Sequence, residues 1–434
     1  MISDFKMIHA IHFIGIGGAG MSALAHLMLA RERRVSGSDL YHSEATRSLE
    51  AAGARLAYGH AAANVPSDAE AVVYTVAVDG KNSELAEAKT RGLPLFTYAE
   101  FLGLVSRGSK TIAISGTHGK TSTTGMIARI LRDAGLDPSV IVGGTLRDLG
   151  ANYALGSGDY FIAEACEYRR SFLNLTPHIL VITNIDNDHL DYYTSIADIQ
   201  EAFREFSGRL DGNDVLVCDP KNAALIPVVR GLTCRIVDYA AFIAPELKLQ
   251  VPGAHMLRNA AAALAVASVL GIGPDIAQKA LEQFSGVVRR FEYKGKTRKG
   301  ADVYDDYAHH PSEIRATLAA ACERFPSKRI RVIFQPHLYS RTKLLLDDFA
   351  ASFGDADEVV FAPIYAAREE PDSEISSERL AEAARAHHPH VVALQSFDDI
   401  SRHFAGAGAA DVIFTLGAGD IGTLGGLLVH GGEK

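Results

Sequence analysis

The hydrophobic pattern of the chain restarts three times, each time with a short apolar run followed by an amphipathic helical segment. The restarts are IHAIHFIGIGG before MSALAHLMLARER, SKTIAISG before KTSTTGMIARILRDAG, and ADVYDDYAHH before PSEIRATLAAACERF. Short apolar strands that alternate with helical segments of about 10–15 residues predict βαβ units and parallel sheets. With polar or glycine-bearing joints near residues 106–108 and 286–295, the pattern predicts three consecutive α/β domains, at residues 1–107, 108–292 and 293–434.

The composition narrows the class of protein. Hydrophobic residues make up 47% of the 434 residues, charged residues 22%, and the net charge is −9. An acidic surface does not attract nucleic acids or anionic membranes, so neither is expected as a partner. The four cysteines are scattered, and no targeting segment or membrane span is visible, so we expect a cytoplasmic protein with free thiols.

A glycine-rich loop follows the first predicted strand and precedes a helix. Its sequence GIGGAG fits G-x-G-x-x-G, and the next strand ends at Asp39, 19 residues after Gly20. Such glycines let a pyrophosphate approach the backbone at the N-terminus of a helix, which predicts a Rossmann-like first domain. A dinucleotide such as NAD, another pyrophosphate and a turn without a ligand all stay open. The residues concerned are Gly15, Gly17, Gly18, Ala19, Gly20 and Asp39.

A second loop, GTHGKT at residues 116–121, also lies between a strand and a helix. It resembles a P-loop, although Ile114 stands where the strict pattern has its first glycine. In a P-loop the backbone N–H groups hold phosphate, the lysine reaches the β and γ oxygens, and the threonine hydroxyl binds Mg²⁺. The second domain is therefore predicted to be a P-loop-type ATPase domain. Its phosphate-binding residues would be Gly116, Thr117, His118, Gly119, Lys120, Thr121 and Ser122.

Candidate metal ligands follow two further strands of the second domain. Glu164 ends the strand DYFIAEA, and the run ILVITNIDNDH ends at His189. Because the carboxyl ends of parallel strands meet at one edge of a sheet, these groups are expected near the P-loop, where a carboxylate can hold the Mg²⁺ of ATP. A lone histidine is usually a surface or core residue, but here polar neighbours favour a ligand: Asn184, Asp186, Asp188 and Asp191.

Two polar clusters open the third domain, each directly after a predicted strand. One is DDYAHHP at residues 305–311, and the other is QPHLYSRT at residues 335–342. Aspartate, histidine and arginine are costly to bury in a core but are common in a cleft. These clusters therefore favour a functional cleft at the strand ends of a second Rossmann-like domain, with a solvated loop as the alternative.

Taken together, these segments resemble the Mur ligases, the ATP-dependent amide-forming enzymes that build the stem peptide of peptidoglycan. The motifs span nearly the whole chain in the order of the family. EACEYRR stands in place of the more widespread EADES. The motifs are GIGGAGMSALA with GSD, NSE at residues 82–84, SGTHGKTSTT, EACEYRRSFLNL, TNIDNDHLDYY, VVRRFE, DDYAHHPSE, FQPHLYSRT, APIYAARE and LGAGDIG.

The resemblance implies the reaction. L-alanine would be joined to the lactyl carboxylate of UDP-N-acetylmuramate through an acyl phosphate, with ATP and two Mg²⁺ ions as cofactors and ADP and phosphate as products. The third domain would receive the amino acid and close over ATP. Two alternatives stay open: a related ligase that adds a whole peptide, as in murein recycling, and a nicotinamide-dependent oxidoreductase that uses the first glycine loop.

The resemblance also implies roles for individual residues. The first glycine loop and Asp39 would bind the UDP-sugar. Asn259, Arg290 and Asp306 would join the P-loop in binding ATP, and Thr121, Glu164 and His189 would bind Mg²⁺. The amino acid would meet Tyr307, His309, His337 and Arg341, and the catalytic residues would be Lys120, His309 and Arg341. The sequence departs from the family at Leu338, where many relatives have arginine, and at Met256, where asparagine is usual.

Overall fold

Three β-sheets, one for each predicted domain, form the framework of the computed structural model, which describes residues 5–189, 192–367 and 369–430. Asp191 lies outside the described residues. The prediction of three consecutive α/β domains is confirmed. The chain forms two compact units, of which the first comprises Met1–Lys248 with Arg258–Ser285 and the second comprises Leu249–Leu257 with Gly286–Lys434.

The first sheet is fully parallel, with the strand order β3-β2-β1-β4-β5. Strand β1 is buried at every position because it lies in the middle of the sheet, and the strand order reverses beside it, where α/β proteins bind ligands. The strands are β1 Ala10–Ile14, β2 Arg34–Asp39, β3 Arg55–Tyr58, β4 Ala71–Tyr74 and β5 Leu95–Thr97. The α-helices are α1 Ala19–Ala30, α2 Glu44–Ala51, α3 Ser83–Thr90 and α4 Tyr98–Ser106, with 3₁₀ helices at Phe5–Met7 and Ala62–Asn64.

The second sheet has the order β12-β11-β10-β6-β9-β7-β8 and is parallel except for the hairpin of β7 and β8. Its central strand β6 leads directly into the P-loop. The strands are β6 Lys110–Ser115, β7 Ser139–Leu146, β8 Ala151–Ala154, β9 Tyr160–Glu164, β10 Ile179–Ile182, β11 Val215–Cys218 and β12 Arg235–Asp238. The helices are α5 Lys120–Asp133, α6 Ile196–Ser207, α7 Ile226–Val229, α8 Ala254–Val269 and α9 Pro274–Glu282, with 3₁₀ helices at Tyr168–Asn174 and Tyr239–Phe242.

The first two sheets share one hydrophobic core, which explains why they belong to one compact unit. A continuous cluster of buried side chains runs from Phe5 to Cys234 through both sheets. The contact is close at Gly103 in α4, where a Cβ atom would lie 2.2 Å from the carbonyl oxygen of Asn174. Asn152 in β8 also donates a hydrogen bond of 2.8 Å to the carbonyl of Ala19 at the start of α1. The start of α1 is therefore anchored to the second sheet.

The third sheet has the order β13-β14-β18-β15-β16-β17, in which only β13 runs antiparallel to its neighbour. Its core strand β18 is buried at all six positions, as expected for a strand covered on both faces. The strands are β13 Glu292–Lys296, β14 Asp302–Asp306, β15 Arg329–Phe334, β16 Glu358–Phe361, β17 Val391–Ala393 and β18 Asp411–Leu416. The helices are α10 Pro311–Arg324, α11 Tyr339–Leu344, α12 Leu346–Ala350, α13 Ser377–Ala384, α14 Phe397–Phe404 and α15 Gly422–His430.

Candidate active site

The glycine loop of the first sheet joins β1 to α1 as predicted. Gly15 has a φ of 77°, which a side chain would strain, and Gly18 caps α1 without a side-chain hydrogen bond. A Cβ atom at Gly20 would lie 2.8 Å from the ring of Tyr98, so only glycine at this position lets α1 lie this close to Tyr98 at the start of α4. The Asp39 carboxylate accepts a hydrogen bond of 2.8 Å from the N–H of Gly17. The structure thus brings the predicted loop and Asp39 together.

The sequence prediction gave no role to a buried carboxylate of the same domain, the glutamate of the NSE motif. Glu84, in the first turn of α3, is completely buried and accepts hydrogen bonds from His12 at 2.7 Å and from Ser38 at 2.8 Å. Its other oxygen accepts from His60 at 2.9 Å and from Asn64 at 3.2 Å. Burial alone would raise the pKa of Glu84, but the hydrogen bonds from His12, His60 and Ser38 outweigh burial and lower this pKa. Glu84 therefore ties β1, β2 and the segment after β3 together.

Replacing Glu84 by glutamine should lower the free energy of unfolding by about 3 kcal/mol at pH 7. Each carboxylate oxygen of Glu84 accepts two hydrogen bonds, and glutamine would replace one of these acceptors with an NH₂ group that donates. The loss should shrink in acid. A lowered pKa stabilises the fold above the unfolded-state pKa of about 4.5, and this stabilisation is lost as the pH falls through the folded-state pKa. Urea unfolding of both proteins across this pH range measures the effect. Glu87→Gln, one turn further along α3, is the control, and equal unfolding curves for wild type and Glu84→Gln would contradict the prediction.

The P-loop of the second sheet is shaped by glycines and held by the neighbouring strand end. Gly116 has a φ of 125°, and a Cβ atom there would lie 2.1 Å from the hydroxyl oxygen of Thr183. The hydroxyl of Thr183 donates to the carbonyl of His118 at 2.6 Å, and Asn184 accepts from the N–H of His118 at 3.0 Å. The His118 ring lies 3.0 Å from the carboxylate of Asp186. The polar run after β10 therefore fixes the loop.

Gly119 begins α5 in the left-handed region, with a φ of 83°, and no side chain caps the helix. Its first N–H groups are therefore available to an anion, as in other phosphate-binding loops. A Cβ atom on Gly119 would lie 2.4 Å from the amide oxygen of Asn259, so Asn259, one of the residues predicted to bind ATP, lies beside the P-loop. Thr117 and Ser122 are buried in the loop and the first turn of α5.

Lys120 contacts the carboxylate of Glu167, to which the sequence prediction gave no role. Its ammonium lies 3.0 Å from both oxygens of Glu167, whose side chain is only 2% exposed. Burial opposes the charged ammonium, but the charge of Glu167 outweighs burial and raises the pKa of Lys120. Burial likewise opposes the ionised Glu167, but Lys120 and then His189 outweigh burial and lower its pKa. The two groups therefore form a buried ion pair.

The predicted magnesium ligands lie beside this pair. The Thr121 hydroxyl donates to Glu164 at 3.0 Å, and the same carboxylate oxygen accepts from the N–H of Gly143 at 2.8 Å. A hydroxyl and a carboxylate oxygen at the phosphate loop are the hard donors that Mg²⁺ prefers, so this part of the site fits the ion. His189 has a positive φ of 55°, and its Nε2 lies 3.5 Å from Glu167.

In the second unit, two of the predicted ATP-binding residues, Arg290 and Asp306, lie at the end of β14. Asp306 is buried and accepts from the N–H groups of Phe291 at 2.7 Å and Ala308 at 2.8 Å. Burial raises the pKa of Asp306 to about 6, although the nearby charge of Arg290 opposes this rise. Arg290 also pairs with Glu313 at 3.5 Å. Asp306 and Arg290, both predicted to bind ATP, therefore lie together.

The residues predicted to receive the amino acid also cluster in the second unit. The exposed ring of Tyr307 lies under the guanidinium of Arg290, 5.4 Å from the ring centroid, and 5.3 Å from the ring of His309. The rings of His309 and His337 are 6.2 Å apart. Burial, followed by the charges of Arg341 and His309, lowers the pKa of His337 to about 4. The imidazole of His337 is therefore neutral at pH 7, and Arg341 lies near it.

The two residues that depart from the family pattern named in the sequence analysis, Leu338 and Met256, both have defined positions in the structure. Leu338 has a positive φ of 71° and donates its N–H to the carbonyl of Tyr365 at 2.9 Å, so it turns the chain into α11 without placing a charge there. Met256 is buried in α8.

Among the helices of the described part of the chain, none has both the length and the hydrophobicity needed to cross a bilayer.

A P-loop with a lysine, a hydroxyl and a strand-end carboxylate, preceded by a pyrophosphate-type loop, defines a nucleotide-dependent enzyme on three α/β domains. The chain belongs to the Mur ligase family. The family's catalytic domain matches residues 10–110, its middle domain residues 114–242 and its glutamate ligase domain residues 289–419.

Within the family, the chain is similar over its whole length to ligases of known name. The UDP-N-acetylmuramate–L-alanine ligase of Clostridium kluyveri is 42% identical over 99% of this chain and all of its own length. The crystal structure of the UDP-N-acetylmuramate-alanine ligase from Thermotoga maritima is 29% identical, with a TM-score of 0.79 over 96% of this chain and 97% of that one. A murein peptide ligase from Psychrobacter arcticus is 25% identical, with a TM-score of 0.69 over 97% of this chain and 99% of that one.

Proposed function

We propose that the protein joins L-alanine to the lactyl carboxylate of UDP-N-acetylmuramate and converts ATP to ADP and phosphate. The observation that carries the proposal is the group formed by Lys120, Thr121 and Glu164 at the P-loop, in a chain similar over its whole length to ligases named for this reaction. The oxidoreductase alternative gives this group no role.

The chemistry explains why a ligase needs these residues. A carboxylate is a poor electrophile, so one of its oxygens attacks the γ-phosphorus of ATP, the bond to ADP breaks, and an acyl phosphate forms. The amine of alanine then attacks the acyl carbon, loses a proton and expels phosphate. The first step brings two anions together, and at 4 Å each pair of unit charges repels by about 4 kcal/mol at an effective dielectric constant of 20. Lys120 supplies one opposing charge at this point.

The metal ligands would supply the rest of the opposing charge. Thr121 and Glu164 would hold one Mg²⁺, and His189 would contribute to a second. Bound Mg²⁺ would neutralise negative charge on the phosphate oxygens and would help to orient the transferred phosphoryl group. The buried position of Glu167 beside Lys120 and His189 adds a further carboxylate to this part of the site.

The remaining substrates are assigned to separate groups of residues. The glycine loop of the first sheet and Asp39 would hold the UDP-sugar, since the uncapped N-terminus of α1 faces an anion favourably. Asn259, Arg290 and Asp306 would contact ATP, with His118 in the loop itself. Tyr307, His309, His337 and Arg341 would receive alanine, and His309 would assist the amine.

Release of ADP tests this function directly. With ATP, Mg²⁺ and UDP-N-acetylmuramate present, we expect turnover with L-alanine and a far lower kcat/KM with L-alanyl peptides, because the polar cluster beside Arg341 suits a small zwitterion. The control omits the UDP-sugar, which should stop release. Turnover with a tripeptide that equals or exceeds turnover with alanine would instead identify a peptide ligase.

A further inference from the structure

The hydrogen-bonding capacity of the Lys120 ammonium is used entirely by oxygen atoms of the protein. It donates to the carbonyls of Gly116 at 2.6 Å and Thr117 at 3.0 Å, and to both carboxylate oxygens of Glu167 at 3.0 Å. An ammonium has three protons, so these four oxygens use its whole capacity. A phosphate group that is to be bound by Lys120 must therefore displace at least one of these partners.

Glu167 is held firmly in this position by its own backbone. Its carbonyl accepts from the hydroxyl of the buried Tyr193 at 2.6 Å and from the N–H of Arg170 at 2.8 Å. The turn that follows is strained, because Arg169 and Arg170 both have positive φ angles, of 51° and 56°. Ion pairs from Arg170 to Asp198 at 3.3 Å and to Glu205 at 2.7 Å hold this turn to α6. The surrounding structure thus fixes the Glu167 carboxylate beside the loop.

The charge of Glu167 has opposite consequences for free ATP and for ATP that carries a cation. A phosphate that enters the loop without a metal ion must compete with Glu167 for Lys120 and then faces a buried anion. A divalent cation bound to the phosphates removes the repulsion between the phosphates and Glu167. When Lys120 turns from Glu167 to the phosphate, the cation becomes the new positive neighbour of Glu167. The second contact of Glu167, at 3.5 Å from His189, places that carboxylate next to a proposed magnesium ligand.

We propose that Glu167 makes nucleotide binding conditional on the divalent cation. It is a positioning residue that holds Lys120 on its own loop until ATP arrives with its cation. The Glu167 carboxylate then exchanges the ammonium for the cation on the side of His189. This inference rests on the proposed ATP-dependent function. It adds that Lys120 leaves Glu167 for the phosphate only when a divalent cation takes the place of Lys120 beside Glu167.

Calorimetric titration of ATP into the full-length protein, without the other substrates, tests the proposal. Wild type should bind ATP much more tightly with Mg²⁺ than with EDTA. Glu167→Gln keeps the shape of the side chain but removes its charge, so its affinity for metal-free ATP should rise by about tenfold. The ratio of the two dissociation constants should fall accordingly. Glu167→Asp keeps the charge and should retain a wild-type ratio.

Glu201→Gln is the matched control, because Glu201 is an exposed carboxylate on α6 that pairs with Arg204 at 2.8 Å. It should leave the affinity for ATP unchanged both with Mg²⁺ and with EDTA. An unchanged or lower metal-free affinity in Glu167→Gln, or a lost Mg²⁺ dependence in Glu167→Asp, would overturn the role of Glu167. Wild type that fails to bind ATP with Mg²⁺ would instead overturn the proposed function.

Discussion

Replacement of Lys120 by alanine is expected to lower kcat by about 10³-fold or more, while the dissociation constant of UDP-N-acetylmuramate stays within about twofold of wild type. The loss is large because Lys120 is the side chain that would neutralise the γ-phosphate as the carboxylate attacks it. The sugar nucleotide would bind at the glycine loop between β1 and α1, on a different sheet from the P-loop. Steady-state kinetics and calorimetry measure the two quantities separately.

The Lys120→Ala variant needs a stability control, because it leaves Glu167 buried without its cation. Removing one partner of a buried ion pair typically destabilises a protein by about 3–5 kcal/mol. The double variant Lys120→Ala, Glu167→Gln removes both charges, so it should regain stability and remain inactive. A variant that recovers activity together with stability would show that Lys120 acts only through the fold. Equal losses of UDP-sugar affinity and turnover would show that the two anion sites are not separate.

The two glycine loops were predictable because each is contiguous in the sequence. A strand, a turn that needs positive φ, and a helix N-terminus follow one another within about a dozen residues, so local pattern determines the geometry. Gly15 and Gly119 have the positive φ angles that these loops require. The clusters at Asp306 and His337 were predictable for a related reason, since parallel strands deliver the residues after them to one edge.

Glu167 and Glu84 were not predictable from local pattern, because their partners are distant along the chain. Glu167 lies 47 residues from Lys120, and its orientation depends on the strained turn at Arg169 and Arg170. Glu84 lies 72 residues from His12. One signal was present: His12 interrupts an otherwise apolar strand, and a histidine buried there requires a hydrogen-bond partner. The sequence does not say which residue supplies it.

The grouping of the chain into compact units also depends on distant contacts. The pattern of strands and helices predicts three domains, and each forms its own sheet. Two such domains share a core only where the surfaces that face each other carry apolar and small residues. Gly103 is one such small residue, since it lets α4 approach the backbone at Asn174. A glycine in a predicted helix gives no indication of the backbone that will approach it.

Recognition of alanine should depend mainly on its carboxylate, because its side chain is a single methyl group. Arginine binds a carboxylate best, since its planar guanidinium makes two parallel charge-assisted hydrogen bonds. Leu338 provides no charge, and the low pKa of His337, about 4, keeps that ring neutral at pH 7. Arg341 in α11 is therefore the group of the QPHLYSRT segment that supplies a positive charge beside His337.

Arg341→Lys is expected to impair the use of alanine by roughly 30-fold to several-thousand-fold and to leave the KM for ATP almost unchanged. Lysine keeps the charge but loses the two-pronged geometry, and breaking one partner of a desolvated charge pair costs about 2–5 kcal/mol, at 1.4 kcal/mol per tenfold. Steady-state kinetics with varied alanine and varied ATP separate the two effects. Arg385→Lys, on the exposed end of α13 in the same unit, is the matched control and should be silent. If the kcat and the alanine KM of Arg341→Lys stay within about twofold of wild type, a surface role for Arg341 replaces the carboxylate assignment.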